Sequence, residues 1–352
     1  MRKIKNIAII TLLLSSVKLF AQDPSFSQFY FNQLYFNPAF SGLSGGLNVN
    51  LAHRVLWPNL PGKFNTSKFS GDIDISGING MGGVGILATS DVEGDGSLKT
   101  FNFGIPISIR PINFSNNIDE KYRYINFQTG FLVSMVYKSI NWDKFVFSDQ
   151  LDPVDGIVHP SSFSYPEESN TVFPDFAFGM VGDYQNAPFG KSQKNNWNVR
   201  AGFAFHHITQ PDYSFLGLES KLPVKFVGHI NFNFPLNKDE NFVVAPAFVY
   251  EQQSDMQTYF FGSNILWRSL YIGGWYRKFT NTDAVTFITG LVFGKNYKFY
   301  ISYSYDMTIS DLASATLGSH EINLSYMLDE SALIAMGIKK NKENRKPSTP
   351  KF

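Results

Sequence analysis

The chain has 352 residues, a formal charge of +1 and a charged fraction of 17%, and 16% of its residues are aromatic. A near-neutral chain offers no basic patch or stripe for a polyanion, so we expect no nucleic-acid partner. The sequence contains no cysteine, which excludes disulfides, thiolate metal sites, a cysteine nucleophile and a lipidated cysteine.

The first 22 residues, MRKIKNIAIITLLLSSVKLFAQ, have the composition of a secretory signal peptide. Arg2, Lys3 and Lys5 precede an apolar core, and Ala21 is a small residue at a cleavage position. We predict a signal peptide over residues 1–21. The rest of the sequence has no uninterrupted apolar run of 18 residues, so it predicts no transmembrane helix. A β-barrel is the remaining way for an exported chain of this kind to span a membrane.

An aromatic segment over residues 22–45 precedes the first predicted strand. It has two possible positions. It either folds into the barrel mouth as a plug, with a turn at Asn37 and Pro38, or packs along the periplasmic rim.

Alternating hydrophobicity dominates the remainder. In residues 297–305, large apolar or aromatic side chains occupy every second position from Tyr297 to Tyr305, with Lys298, Ser302 and Ser304 between them. A two-residue period predicts a strand with one apolar and one polar face. By this pattern we predict strands over residues 47–54, 69–75, 82–89, 101–110, 125–137, 176–184, 197–206, 224–234, 242–252, 258–267, 270–278, 285–293, 297–305 and 322–328.

The polar faces of these strands distinguish a membrane barrel from a soluble fold. They are rich in Asn, Ser, Gly and Thr, whereas a face in bulk water tends to be rich in Lys and Glu. The few charged or ionisable groups on them are Arg54, Asp72, Asp74, Lys225, His229 and Glu321. We therefore predict an all-β fold, a transmembrane antiparallel barrel of about 14 strands over residues 46–328. A soluble secreted β-protein is the alternative.

The predicted connections alternate in length. Short ones cover residues 76–81, 268–269 and 294–296, and long ones cover residues 58–68, 138–170, 209–221 and 307–320. Short periplasmic turns and long external loops are typical of bacterial barrels. Residues 111–123 are an exception, which we expect to be a long periplasmic link.

The tail over residues 329–352 carries six Lys or Arg and one Glu from residue 339 onward. In a barrel with an even number of strands it lies in the periplasm. There it either docks on an acidic ring protein or cell-wall polymer, or forms a solvated disordered end.

No pattern in the sequence indicates catalysis. The glycine-rich run at residues 80–85 precedes a strand, whereas a dinucleotide site needs a following helix. His206 and His207 are adjacent, and a strand would direct them to opposite faces. We expect no enzyme activity, no cofactor and no metal site.

Four segments carry a family resemblance. They are QDPSFSQFYFNQLYFNPAFSG at 22–42, AHRVLWPNLPGKFNT at 52–66, KFVFSDQLDPVDG at 144–156, and YSYDMTISDLASATLGSHEINLSY at 303–326. In this order they resemble the PorP/SprF family of type IX secretion system membrane proteins of the Bacteroidetes. The family-signature positions are Asp23, Gln28, Asn37, Pro38, Ala39, Gly42, Ser319, His320 and Glu321.

The resemblance implies a cell outer membrane protein that supports export and surface attachment of secreted proteins or gliding adhesins by protein–protein binding. The implied partners are periplasmic ring or motor proteins of the secretion system, a secreted adhesin or its C-terminal domain, and outer-membrane lipid. We expect Arg54 and Trp57, at the outer end of the first strand, to contact a partner. Their alternative roles are interior pairing and interfacial anchoring. The alternative function is a passive outer-membrane channel or uptake porin for small ligands.

Overall fold

The computed structural model describes most of the chain beyond the predicted signal peptide. The described residues are 23–60, 62, 64–75, 81–94, 97–118, 121–152, 154–164, 169–188, 197–215, 219–237, 242–279, 283–294, 297–310 and 313–329. The predicted signal peptide and residues 330–352 of the basic tail lie outside them.

Within these residues, fourteen antiparallel strands form one closed barrel, as the sequence predicted. Each strand pairs with its neighbours in the chain, and the first pairs with the last from Leu47↔Leu328 to Leu56↔Ser319. The strands are β1 (Leu47–Leu56), β2 (Phe64–Asp74), β3 (Met81–Glu93), β4 (Leu98–Ile118), β5 (Lys121–Ser139), β6 (Asn170–Pro188), β7 (Trp197–His206), β8 (Lys225–Pro235), β9 (Phe242–Gln253), β10 (Met256–Trp267), β11 (Leu270–Phe279), β12 (Asp283–Phe293), β13 (Tyr297–Thr308) and β14 (Ser319–Leu328).

The two faces of each strand meet different surroundings. The six charged or ionisable groups predicted to face inward are each 5% exposed or less. Outward positions instead present large apolar side chains at 37–53% exposure, among them Phe101, Phe103, Ile105, Ile107, Ile109, Phe131, Val133, Met135, Phe299, Ile301 and Tyr303. A continuous apolar belt around a closed barrel is the surface that lipid covers. The fold is a transmembrane β-barrel.

The two ends of the barrel differ in their connections. We call the end where β1 begins the near end and the end where β1 finishes the far end. The longest links, residues 140–169 and 207–224, are at the far end, whereas residues 268–269 make a two-residue turn at the near end. In the first of these loops, Leu151–Asp152 and Gly156–Ile157 form a two-stranded ladder.

The predicted near-end link over residues 111–123 is wrong. β4 and β5 continue through it as a paired ladder to Ile118↔Lys121, with a register irregularity between Ile109 and Ile112. The irregularity contains Pro111, which has no N–H to donate to a ladder and is therefore tolerated at a bulge. The proline interrupts the alternating pattern without ending the strand.

The helices are short. The described residues include two α-helices, α1 (Gln33–Phe36) and α2 (Ala313–Thr316), and four 3₁₀ turns, of which Phe29–Phe31 and Pro38–Phe40 flank α1. No helix among them is long and apolar enough to cross a membrane.

A charge placed in the apolar belt tests this orientation of the strands. Ile301→Arg, at a mid-strand outward position of β13, is expected to lower the free energy of unfolding by about 2–4 kcal/mol. Met307→Arg, outward on the same strand but near its far end, is expected to cost only about 0–1 kcal/mol. Urea unfolding in lipid vesicles measures both. Equal losses for the two variants would mean that the belt is not centred on Ile301.

Candidate functional site

The N-terminal segment, residues 23–46, lies inside the barrel; we call it the luminal segment. It begins at the far end, where the Asp23 amide donates to Gln253 Oε1 (3.0 Å). It finishes at the near end, where the Asp74 amide donates to the Gly46 carbonyl (3.0 Å) just before β1 starts. The chain therefore passes through the whole lumen before it enters the barrel wall. Of the two placements that the sequence left open, this corresponds to a plug.

Apolar side chains of the luminal segment form the centre of the molecule. Phe26, Phe29, Phe36 and Phe40 are each 5% exposed or less. The opposing wall carries interior aromatic residues, and the Phe31 ring lies 5.4 Å from Tyr271 and 5.6 Å from Tyr300 between centroids. The lumen is thus packed as a protein core rather than open as an aqueous pore.

A cluster of charged side chains binds the luminal segment at Ser27, toward the far end of the barrel. Arg54 Nη2 lies 2.6 Å from Asp306 Oδ2, and Nη1 lies 3.3 Å from Glu321 Oε2. Arg277 Nη2 also reaches Asp306 Oδ2 (3.3 Å). The Ser27 amide donates to Glu321 Oε2 (2.6 Å), and the Ser27 hydroxyl accepts from Arg54 and donates to Asp306 Oδ2 (2.6 Å). One serine of the segment is therefore held by three charged groups of the wall.

Neutral polar groups extend these contacts. Asn32 Nδ2 donates to Glu321 Oε1 (3.1 Å). Gln28 Oε1 accepts from Ser302 Oγ (2.7 Å), and Gln28 Nε2 donates to Ser304 Oγ (3.3 Å). These inward-facing serines of β13 recognise the side chain of Gln28 through both its donor and its acceptor.

The turn at Asn37 holds the middle of the luminal segment. Asn37 Oδ1 accepts from the Ala39 amide (2.9 Å), and Nδ2 donates to the carbonyls of Met180 (3.0 Å) and Phe203 (3.1 Å). The side chain thus caps the 3₁₀ turn Pro38–Phe40 and ties it to the barrel wall.

Glycines in the wall let this turn approach the strands. A Cβ at Gly130 would lie 2.3 Å from the Ala39 nitrogen, and a Cβ at Gly179 would lie 2.0 Å from Asn37 Oδ1. Gly42 has φ +69°, and a Cβ there would lie 2.6 Å from Gly83 Cα. Both its backbone conformation and its surroundings require glycine.

Charged groups also fix the far-end start of the segment. His207 Nε2 lies 2.8 Å from Asp23 Oδ2 and Nδ1 lies 2.9 Å from Asp175 Oδ2. Burial alone would lower the pKa of His207, but the charge of Asp23 and hydrogen bonds to Asp175 and Asp23 raise the pKa to about 10. Burial likewise opposes ionisation of Asp23, yet the charges of His207 and Lys225 lower its pKa well below the usual range.

The contribution of this ion pair to stability depends on pH. The raised pKa of His207 gives stability that is complete below its unfolded value of roughly 6.5 and is lost as pH rises through about 10. The lowered pKa of Asp23 gives stability that is present above its unfolded value, roughly 4, and is lost only in stronger acid. The pair therefore stabilises the protein most between about pH 4 and 6.5.

His207→Gln is accordingly expected to lower the thermal unfolding midpoint most near pH 5–6, with a difference from wild type that shrinks toward pH 10. Thermal scans in detergent across this range measure it. His53→Gln, on the exposed outward side of β1, is the matched control and is expected to show a small, constant effect. A His207→Gln difference that does not change with pH would contradict the ion pair.

The sequence-derived site residues mostly meet in the lumen. Arg54 is 3% exposed and points inward, so its contacts are those of interior pairing. Trp57 lies at the far end with φ +51° and its ring packs edge-on against Phe64. His320 faces outward and pairs with the Tyr303 hydroxyl (2.7 Å), whereas Ser319 is buried. The other signature positions are the luminal residues described above and Glu321.

The prediction that His206 and His207 point to opposite faces is wrong. β7 ends at His206, and His207 has φ +57°, so the chain turns and both side chains are buried. The apolar part of the interior wall is not predicted by the alternating pattern. The run FVVAPAFVY at residues 242–250 was its signal, because apolar residues on both faces of a strand indicate burial on both sides.

Comparison with known families identifies one match. The sequence model described as "Type IX secretion system membrane protein PorP/SprF" matches residues 18–326, most of the chain. No curated protein sequence matches the chain significantly.

Solved barrels give only distant likenesses. The CymD monoaromatic hydrocarbon channel is 10% identical, with 85% of this chain and 92% of that chain covered and a TM-score of 0.40. The Ralstonia pickettii toluene transporter TbuX is 12% identical, with coverage of 85% and 93% and a TM-score of 0.40. The β-domain of the Bordetella autotransporter BrkA is 10% identical, with coverage of 80% and 98% and a TM-score of 0.35. Scores at this level carry no argument about function.

Proposed function

Because the chain belongs to the PorP/SprF family of type IX secretion system membrane proteins, we propose that it is a non-enzymatic outer-membrane component of that system. It supports export and surface attachment of secreted proteins, including gliding adhesins, by binding them. The far end, with its long loops, faces the cell exterior, and the near end faces the periplasmic ring or motor proteins.

The occupied lumen is the observation that carries the proposal. The luminal segment is bonded to the barrel wall along its length, from Asp23 at the far end through Gly42 to Gly46 at the near end. A water-filled channel or porin for polar solutes needs a continuous polar path, and packed phenylalanines close that path here. Binding at the barrel surface therefore fits the structure better than passive conduction of polar solutes.

The long far-end loop, residues 140–164, has the properties of a binding surface. Asp149 accepts from the Ser162 amide (2.6 Å) and from both the Ser161 and Ser162 hydroxyls, which braces the loop internally. Its exposed apolar side chains include Val154 at 89% and Ile157 at 62%. An ordered loop that presents apolar side chains loses little entropy on binding. We place the secreted partner there, with Trp57 at the same end of the barrel and Arg54 acting inside it.

Deleting the gene in its host tests the proposal, with two readouts. Surface display of type IX cargo is expected to be lost while uptake of small solutes is unchanged. Val154→Asp in the far-end loop is expected to reduce display. Val154→Ile, which keeps an apolar side chain at the same exposed position, is the matched control and should leave display unchanged. Normal display combined with impaired uptake would overturn the proposal in favour of a channel.

A further inference from the structure

A cavity of about 90 Å³ lies at the far end of the lumen; we call it the far-end cavity. Strands β3 to β8 and the link between β7 and β8 form its wall, and Asp23, Pro24 and Tyr35 of the luminal segment contribute to it. Since about 10–15 Å³ of such volume holds one water, the cavity has room for a group of roughly six to nine heavy atoms.

Two of the ionisable donors of its wall, Lys225 and His207, are engaged by carboxylates. Lys225 Nζ lies 2.8 Å from Glu251 Oε2. Both ring nitrogens of His207 contact carboxylates, as described above. Lys138 Nζ lies over the Tyr213 ring, 4.3 Å from its centroid, and no carboxylate of the described residues lies within 4.0 Å of it.

The acceptors of the wall are in excess. Asp91 and Glu93 both face inward from β3. The Thr66 hydroxyl donates to Asp91 Oδ1 (2.5 Å), and the two acids share a hydrogen bond. No cation of the described chain lies within 4.0 Å of either. Asp175 is 3% exposed, and its Oδ1 has no hydrogen-bond partner in the part of the chain that the structure describes. Asn102 Oδ1 has none there either. A buried acceptor without a donor is costly, so Asp175 Oδ1 and Asn102 Oδ1 favour a ligand that donates hydrogen bonds, and the neighbouring acids favour one that carries a positive charge.

The remaining wall is apolar. Leu87, Leu132, Val136 and Phe173 line the same cavity. An aliphatic chain fits against such side chains, and a primary ammonium at its end supplies three donors and a compact positive charge. We propose that the far-end cavity binds a primary ammonium group on an aliphatic stem. A lysine side chain of a polypeptide and a free alkylamine share this chemistry.

Calorimetry on the purified full-length barrel in detergent tests the proposal with three probes: N-acetyl-lysine amide, n-butylammonium, and N-acetyl-norleucine amide, which lacks the charge. The first two are expected to bind and the third is not. The double substitution Asp91→Asn/Glu93→Gln is expected to weaken binding at least tenfold. Asp155→Asn, an exposed acid of the far-end loop, is the matched control and should change nothing.

Further variants keep the test decisive. Lys138→Met removes a cavity-wall cation that has no acidic partner within 4.0 Å among the described residues, so it is expected to tighten binding. Val136→Phe fills the cavity without changing a charge and is expected to abolish binding even if the double variant fails to fold. The proposal would be overturned if N-acetyl-norleucine amide bound with the same affinity as N-acetyl-lysine amide. It would also be overturned if Val136→Phe bound the lysine probe with wild-type affinity.

A second comparison of affinities distinguishes a free amine from a polypeptide lysine as the natural ligand. Equal affinity for n-butylammonium and for a lysine-containing decapeptide supports the site with a free amine as its ligand. At least tenfold tighter binding of the peptide supports the site with a polypeptide as its ligand. Binding of neither overturns it. Because these measurements use the isolated barrel, their failure would leave the proposed secretion role unaffected.

Discussion

Arg54→Met is expected to lower the free energy of unfolding by about 3–5 kcal/mol, since it leaves buried carboxylates without their main cation. Glu321 is 0% exposed and Asp306 is 1% exposed, so neither can recover the lost interaction from water. Arg277 still reaches Asp306, but Glu321 has no other cation within 4.0 Å among the described residues. Urea unfolding in detergent or lipid measures the loss.

Two controls separate the ion cluster from a general effect of losing an arginine. Arg268→Met, in the exposed near-end turn between β10 and β11, is expected to change stability by less than about 0.5 kcal/mol. Adding Glu321→Gln to Arg54→Met should recover part of the loss, because the uncompensated charge is then removed. Equal effects of Arg54→Met and Arg268→Met would contradict the cluster.

Gly130→Ala is expected to displace the turn at Asn37 from the barrel wall. The new methyl would lie 2.3 Å from the Ala39 nitrogen and 2.4 Å from the Pro38 carbonyl carbon, and neither backbone atom can swing aside as a side chain can. Overpacking of this kind costs about 1–3 kcal/mol. If the substitution lowers the free energy of packing the luminal segment against the wall by this amount, amide hydrogen exchange in residues 23–46 should become roughly 5- to 150-fold faster.

Gly182→Ala provides the matched control for this exchange measurement. It lies on β6, where the nearest atom to an added Cβ is the Ala201 carbonyl oxygen at 3.8 Å, an ordinary contact. Exchange in the luminal segment should then match wild type. Unchanged exchange in Gly130→Ala would mean that the segment is not held against the wall at this point.

The strands and their facing follow from sequence because alternation is a local property. Residues 297–305 alone show which side chains of β13 face lipid, and the same period assigns Arg54, Asp72 and Glu321 to the interior. The alternating pattern predicts a strand less well where the pairing register is irregular. Pro111 interrupts the alternation, so the paired extension of β4 and β5 appeared to be a link.

The contacts of the luminal segment depend on closure of the barrel and could not be predicted in the same way. Arg54 meets Glu321 because β1 pairs with β14, which a list of strands does not specify. Gly130 and Gly179 adjoin the Asn37 turn although both are distant from it in the chain. The excess of Phe and Tyr at residues 26–40 indicated burial of that segment, but not whether lumen or rim would bury it.

The claim on which this account depends is that the barrel binds partners while its lumen stays closed by its own N-terminal segment. The conductance of purified wild-type protein in planar lipid bilayers tests it most directly. Insertion without stepwise current, over a range of voltages and salt concentrations, is the predicted result. Regular single-channel steps from correctly folded wild-type barrels would contradict a closed lumen and support a pore.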